Sequence, residues 1–157
     1  MERRPDSHLS LLFHLFAAEQ RVRTLVTTAM ADCGLRPDDY AIYSVLFDEG
    51  PHAPTDLARR VGTPPTTMSH YVRAMLGRGH VEREIVAADR RSFRLRLTDS
   101  GLAAHARASE AFAEADSRFM AALDVRGAKA TDVLASIGRA AERAAADLAA
   151  DSVEATA

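Results

Sequence analysis

Residues 57–101 hold the feature that most constrains this chain, because two short helical patterns there are separated by the tight turn Gly62-Thr63. The second pattern repeats apolar side chains at steps of three and one, which is the spacing of one buried helix face. These side chains are Met68, Tyr71, Val72, Met75 and Leu76. We expect Thr63 to be the N-cap of this helix and Pro64 its first residue, since Thr caps helices and Pro is tolerated in the first turn.

Two strand patterns follow the helices. After the helix stop Gly77-Arg78-Gly79, residues 80–86 alternate imperfectly between apolar and charged, whereas Phe93, Leu95 and Leu97 alternate clearly with two arginines. Residues 87–92 are too charged to be buried, so we expect them to form the connecting loop. Two helices followed by such a hairpin predict a winged helix-turn-helix, in which the second helix is the one that enters a DNA groove.

Charge is distributed unevenly along the chain. Residues 54–97 contain nine Arg against four acidic residues, although the net charge of the whole chain is -2. A local basic segment between acidic segments indicates an anionic partner, and a polyphosphate backbone is the commonest such partner. A solvated basic face without a partner is the alternative that charge alone leaves open.

Long helical patterns lie on both sides of this segment. The first begins near Ser7, the expected N-cap, stops at Gly34, and is apolar on more than one face, which indicates burial from two sides. A short helix is expected over residues 40–47, and two long Ala-rich helices are expected between residues 100 and 149. The prediction is a mainly α fold with about six helices and a two-stranded β-hairpin.

Several protein classes are disfavoured by the sequence. The N-terminus lacks the pattern of a secretion signal, and no apolar stretch approaches the roughly 20 residues that span a bilayer, so we expect a cytoplasmic protein. Cys33 is the only cysteine, which agrees with a reducing compartment. We find no nucleophile–base pair or carboxylate constellation and expect neither an enzyme nor a bound cofactor; His105, on an Ala-rich helix, is typical of an interface residue.

Five motifs in a fixed order give the chain a resemblance to the multiple-antibiotic-resistance regulator (MarR) family. They are Leu57-Ala58-Arg59-Arg60-Val61-Gly62, Thr67-Met68-Ser69, Arg78-Gly79-His80-Val81, Asp89-Arg90-Arg91-Ser92 and Leu95-Arg96-Leu97-Thr98-Asp99-Ser100-Gly101. Each motif alone is weak, but the order and spacing together are specific, and the resemblance covers nearly the whole chain.

The resemblance implies a homodimer that reads a pseudo-palindromic operator in double-stranded DNA, with its two recognition helices roughly 34–36 Å apart. It implies one MarR-like domain over residues 1–157. Within it, residues 37–99 form the winged helix-turn-helix lobe, residues 7–34 and 100–149 form dimerisation helices, and residues 150–157 form a flexible tail.

The resemblance also implies the residues that contact DNA. Those assigned to the major groove are Pro65, Thr66, Thr67, Ser69, His70 and Arg73. Arg73 is the first choice for base reading, because Arg pairs bidentately with guanine, and a phosphate contact or an internal salt bridge is its alternative. Arg90 and Arg91 resemble wing arginines of the minor groove, and Asp89 either orients one of them or only forms the turn. Pro64-Pro65 and Ala74 depart from the polar or basic residues common in the family.

Members of the family commonly release DNA when a small aromatic or anionic molecule binds beside the winged helix, which implies a repressor released by such a ligand. Candidate polar groups for an effector pocket are His14, Arg21, Tyr40 and Tyr43. The alternative is that both tyrosines are ordinary core or subunit-contact residues.

Three other interpretations remain open at this point. A redox-responsive regulator would use Cys33, although it lies at the end of the first helix. A metal-responsive regulator would use Cys33, Asp38 or Asp39, and His105, but no metal-binding spacing supports it, and we expect no metal site. A winged-helix dimer that acts only through protein partners is the third.

Overall fold

The computed structural model describes residues 10–86, 89–123 and 127–154. These residues form six helices and one antiparallel sheet of two strands. In chain order they are α1 (Leu11–Ala29), α2 (Pro37–Glu49), α3 (Pro54–Arg60), α4 (Pro65–Gly77), β1 (Val81–Val86), β2 (Asp89–Leu97), α5 (Asp99–Ala122) and α6 (Gly127–Glu154). The predicted fold class, a mainly helical chain with a hairpin wing, is confirmed.

The helix beginnings differ from the expected ones by a few residues. Ser10 is the N-cap of α1 and accepts a hydrogen bond from the Phe13 amide at 3.3 Å, whereas Ser7 lies outside the described residues. At α4 the N-cap is Pro64, whose ψ is 143°, and the helix begins at Pro65 rather than Pro64. A residue before proline disfavours the α region, so Pro64 stays extended because Pro65 follows it.

Two elements extend beyond their expected ends. β2 begins at Asp89, and Val86 pairs with Asp89 after a register shift between Ile85 and Val86. We had expected Asp89, Arg90 and Arg91 to lie in a loop. They belong instead to the end of β2 that is nearest the turn. α6 continues through the first part of the expected tail to Glu154, since residues 139–154 contain neither Gly nor Pro to stop it.

The chain divides into two compact units, Met1–Ala115 and Asp116–Ala157. The core of the first unit is formed by buried side chains of α2, α3, α4, the sheet and the start of α5. They include Ile42, Tyr43, Leu46, Leu57, Ala58, Met68, Val72, Met75, Val81, Leu95, Ala104 and Ala108. The expected inner stripe of α4 is confirmed, because Tyr71 and Leu76 pack against this core. Phe47, at the end of α2, is in contrast 56% exposed.

The wing is joined to the helices on both sides. His52 and Leu95 exchange two backbone hydrogen bonds, of 3.2 and 2.8 Å, so the loop before α3 adds a bridge to β2. At the other end Thr98 caps α5 by accepting a hydrogen bond from the Gly101 amide at 3.2 Å. Gly101 is packed so closely that a Cβ there would lie 2.0 Å from the His80 carbonyl oxygen. Only glycine fits this junction between the hairpin and α5.

The second unit contains the end of α5 and the whole of α6. From residue 129 to residue 151 no side chain of α6 is buried, and Val133, Leu134 and Leu148 are exposed. In the first unit α1 likewise has no buried residue. Within the described ranges, none of the helices is long and apolar enough to cross a membrane.

Candidate functional site

The outer face of α4 presents the side chains that we assigned to the major groove. Five of them are exposed and one, Thr67, is half-buried; the exposed ones are Pro65, Thr66, Ser69, His70 and Arg73. Met68, Val72 and Met75 are buried on the opposite face. The 3.6-residue repeat of the helix therefore separates a core face from a polar face.

Arg73 differs from the arginines that precede α4. Arg59 pairs with Asp56 at 3.1 Å, and Arg60 donates two hydrogen bonds to one carboxylate oxygen of Glu49, at 2.8 and 2.5 Å. Among the described residues Arg73 has no carboxylate partner, so the internal salt bridge that we considered for it is not seen there. Within the described part of the chain, no ion pair must be broken before its guanidinium reaches a ligand.

A groove of about 390 Å³ separates α4 from the wing. Its lining residues are Pro54, Ser69, Val72, Arg73, Leu76, Arg83 and Phe93. The Arg83 guanidinium lies over the Phe93 ring, 4.5 Å from its centroid, which is a cation–π contact. Arg83 therefore faces the same groove as Arg73. We had not singled it out, and the signal was its diagonal position across the hairpin from Phe93, since Arg83 pairs with Leu95.

The three wing residues of the prediction lie at the turn end of β2. The backbone of Asp89, Arg90 and Arg91 is strand, but their side chains lie outside the described residues. Their assignment to the minor groove, and the orienting role of Asp89, stay predictions.

The first turn of α2 holds α4 in place at two points. The Tyr71 hydroxyl donates to Asp38 Oδ2 at 3.1 Å, and Arg78, the C-cap of α4, donates to Asp39 Oδ2 at 3.1 Å. Arg36 also donates to Asp39, at 3.3 Å. Burial of Asp39 opposes its ionisation, but the hydrogen bonds from Arg78 and Arg36 outweigh this and hold its pKa below the ordinary value. Asp39 is therefore a buried carboxylate that ties two helix ends together.

A cavity of about 540 Å³, named here the α1–α2 cavity, lies between α1, α2 and α5 within the first unit. Its lining residues are Glu19, Val22, Arg23, Val26, Pro37, Asp38, Tyr40, Ala41, Ser44, Asp48 and Phe112. Its volume falls in the range of small-molecule pockets.

Our four effector-pocket residues are distributed differently from the prediction. Tyr40 lines the α1–α2 cavity, whereas His14 and Arg21 are exposed on α1 and are not among its lining residues. Tyr43 is fully buried, its hydroxyl lies 3.0 Å from His80 Nδ1, and burial raises the pKa of Tyr43 to about 12. The polar groups of the cavity come instead from residues such as Arg23 on α1 and Asp38 and Ser44 on α2.

His105 lies behind the cavity wall. Its ring is stacked between Tyr40 and Phe47, at centroid distances of 5.3 and 4.6 Å, and its Nε2 lies 3.2 Å from the Ser44 hydroxyl. Burial lowers the pKa of His105, so the imidazole is neutral at pH 7. A neutral His105 makes the wall around Tyr40 an aromatic surface rather than a cationic one.

The residues of the metal hypothesis do not come together. The Asp39 carboxylate binds two arginines, and the His105 ring binds Ser44. Cys33 donates from Sγ to the Leu35 carbonyl oxygen at 3.4 Å. Across residues 10–86, 89–123 and 127–154, no group of three His, Cys, Asp or Glu side chains is arranged to hold a metal ion.

Solved structures of transcription regulators share this architecture. The transcriptional repressor CouR bound to a 23-mer DNA duplex is 26% identical, covers 90% of this chain and 99% of its own, and has a TM-score of 0.71. The PcaV transcriptional regulator from Streptomyces coelicolor, in complex with its natural ligand, is 26% identical, covers 92% and 99%, and has a TM-score of 0.71.

A third structure agrees in fold. The Mycobacterium tuberculosis transcriptional regulator MosR in complex with DNA is 23% identical, covers 87% of this chain and 98% of its own, and has a TM-score of 0.75. Among curated proteins, no sequence matches the chain. The MarR family model matches residues 37–93, which run from the start of α2 to the middle of β2. Residues 37–93 therefore match the MarR family model, and the chain as a whole has the fold of these transcription regulators.

Proposed function

We propose that this protein is a homodimeric, sequence-specific DNA-binding repressor that a small aromatic or anionic ligand releases from its operator. The observation that carries the proposal is the exposed polar face of α4, on which Arg73 has no carboxylate partner among the described residues. Arg presented in this way can pair bidentately with guanine, and the Thr66 and Thr67 methyls can meet thymine.

The homodimer is supported by apolar residues on α1. Leu11, Leu12 and Phe16 are each more than 60% exposed, and α1 buries none of its residues. Large exposed apolar patches on soluble domains mark interaction surfaces. We assign residues 7–34 and 100–149 to the dimer interface and residues 37–99 to DNA binding, so that a twofold dimer presents two copies of α4 to successive major grooves.

Ligand release is supported by the α1–α2 cavity. Its volume suits a small molecule, and Tyr40 and Phe112, whose ring centroids lie 5.0 Å apart, form one aromatic wall. PcaV is described with its natural ligand and CouR with DNA, so both kinds of complex occur in structures of this fold.

The first test is binding of the purified protein to the DNA upstream of its own gene at two salt concentrations. We expect affinity to fall steeply with salt, because phosphate contacts release condensed counterions. Arg73→Ala should cost about 1–3 kcal/mol on the specific site and much less on random DNA. Arg59→Ala, an exposed arginine of α3 that pairs with Asp56, is the matched control and should not discriminate between the two DNAs. Equal losses on both DNAs would contradict base reading by Arg73, and no binding at all would favour a dimer that acts through protein partners.

The second test removes the wing charges. Replacing both Arg90 and Arg91 with Ala should lower affinity on every DNA sequence and flatten the slope of log K against log salt by about two phosphate contacts. The measurement is fluorescence anisotropy of a labelled duplex across a salt series. An unchanged slope would show that the wing arginines do not touch phosphate.

A further inference from the structure

Asp38 lines the α1–α2 cavity and also contacts α4. Its Oδ1 accepts a hydrogen bond from Arg23 Nη1 at 3.2 Å, and its Oδ2 accepts one from the Tyr71 hydroxyl at 3.1 Å. Arg23 and Asp38 line the cavity, whereas Tyr71 is a residue of α4. One carboxylate thus joins the cavity wall to the helix assigned to DNA.

Tyr71 is well placed to set the position of the outer face of α4. It follows His70 directly and precedes Arg73 by two residues, and it packs against the core while these neighbours are exposed. Arg36 lies over the Tyr71 ring at 5.7 Å from its centroid, so the start of α2 contacts both the ring and the hydroxyl. A change at the hydroxyl therefore acts on the middle of α4.

The other support of α4 is independent of the cavity. The Arg78 bridge at the C-terminal end of α4 ends on Asp39, whose side chain is 0% exposed and does not line the cavity. Asp38, in contrast, is 42% exposed, and Arg23 is 52% exposed. Of these two contacts with α2, the one at the end of α4 is buried and the one at its middle is accessible, and only the accessible one involves a residue of the cavity.

The accessible bridge is easy to replace. Arg23 is shared between Asp38 and Glu19, whose Oε1 accepts from Arg23 Nε at 2.7 Å, and all three residues line the cavity. Solvent-exposed ion pairs contribute little stability, so a ligand group that binds Arg23 has little to displace. When the Arg23 contact is broken, the hydrogen bond from the Tyr71 hydroxyl is the one that remains of the two that Asp38 accepts here.

We propose that Asp38 is the positioning residue that couples the α1–α2 cavity to α4: loss of the Arg23 bridge on the cavity side changes the Tyr71 contact and shifts the DNA-reading face. The proposal rests on the proposed function, because it explains how a ligand in the cavity alters operator binding. The two contacts that a ligand would change are those of Asp38 with Arg23 and with Tyr71.

The direct test needs no DNA and no ligand. The chain has three tyrosines, so 3-fluorotyrosine gives three fluorine resonances, and Tyr71→Phe identifies the one from Tyr71. We expect Arg23→Gln to shift the Tyr71 resonance. Arg21→Gln, on the same helix but outside the cavity, should leave it unchanged. In an Asp38→Asn background the effect of Arg23→Gln should disappear. If Arg23→Gln leaves the fluorine chemical shift of Tyr71 unchanged, the proposal is overturned.

The functional test is a double-mutant cycle on operator affinity with Arg23→Gln and Tyr71→Phe. Residues that communicate show non-additive effects, and we expect a coupling of about two- to ten-fold in Kd that vanishes in the Asp38→Asn background. Additive effects would overturn transmission through Asp38. If the unmodified protein binds no operator, the proposed function fails, and the fluorine spectra still decide whether Asp38 joins Arg23 to Tyr71.

Discussion

The segment from α2 to β2 and the helix α6 use similar apolar residues in opposite ways. In the first segment every helix and strand has buried apolar side chains, and Leu57 is 0% exposed. In α6 the apolar residues recur at helical spacing, but none from residue 129 to residue 151 is buried, and Leu134 is 61% exposed. The comparison teaches that the winged-helix lobe builds its own core, whereas large apolar side chains of α6 such as Val133 and Leu134 remain exposed among the described residues.

The largest expected effect comes from making the same substitution in both regions. Leu57→Ala should lower the free energy of unfolding by about 2–5 kcal/mol, because it leaves a cavity in a closed core. Leu134→Ala should leave intrinsic stability nearly unchanged and should weaken dimerisation. Urea unfolding at two protein concentrations, together with sedimentation analysis, distinguishes a loss of intrinsic stability from a loss of dimerisation. If Leu134→Ala leaves the dimer dissociation constant unchanged, the assignment of α6 to the interface is wrong.

A second pair of substitutions compares two glycines. Gly101→Ala places a Cβ 2.0 Å from the His80 carbonyl oxygen, so backbone must move, and we expect a loss of about 1–3 kcal/mol or more. Gly138→Ala in α6 meets nothing within 4 Å and should be neutral or stabilise the helix by up to about 1 kcal/mol. Thermal unfolding of the two variants checks both values. Equal losses would mean that α6 is packed as tightly as the junction before α5.

A smaller effect concerns the acid sensitivity of the lobe. The pKa of Asp39 is lower in the folded chain than in the unfolded chain. The ionised side chain therefore stabilises the fold fully at pH values above the ordinary carboxyl pKa of about 4. This stabilisation is lost as the pH falls from there through the pKa of the folded chain. We expect Asp39→Asn to be less stable than the unmodified protein at pH 7 and to lose less stability between pH 5 and pH 3. Urea unfolding across this range is the measurement.

Asp56→Asn is the control for that series, because Asp56 is an exposed partner of Arg59 in the same lobe. Its unfolding free energy should follow that of the unmodified protein at each pH. Identical pH dependence in Asp39→Asn and in the unmodified protein would show that the buried bridge does not control acid stability.

Much of the reading surface was predictable from local pattern. The inner stripe of α4 follows helical spacing, so the exposed positions of Thr66, Ser69, His70 and Arg73 followed as well. The beginning of α4 was wrong by one residue because the effect of Pro65 on Pro64 was not considered. Arg83 was missed because its stacking on Phe93 depends on strand register, which alternation alone does not set.

The cavity could not be read from the sequence in the same way. His14, Arg21 and Tyr43 were chosen as polar or aromatic residues on the expected helices, but helical phase turned the first two outward and buried Tyr43 beside His80. Arg23, only two residues after Arg21, lies on the cavity side because two residues correspond to about 200° around a helix. An error of that size reverses which residue faces the cavity.

The sequence by itself determined the element order, the polar face of α4 and the resemblance to MarR regulators, because helical period, turn residues and motif spacing are local properties of the chain. The tertiary structure alone decided that Arg23, Asp38 and Tyr71 form one chain of contacts from α1 through α2 to α4. Residues far apart in sequence meet only when packed helices take one rotation and one register, and no local pattern contains that rotation.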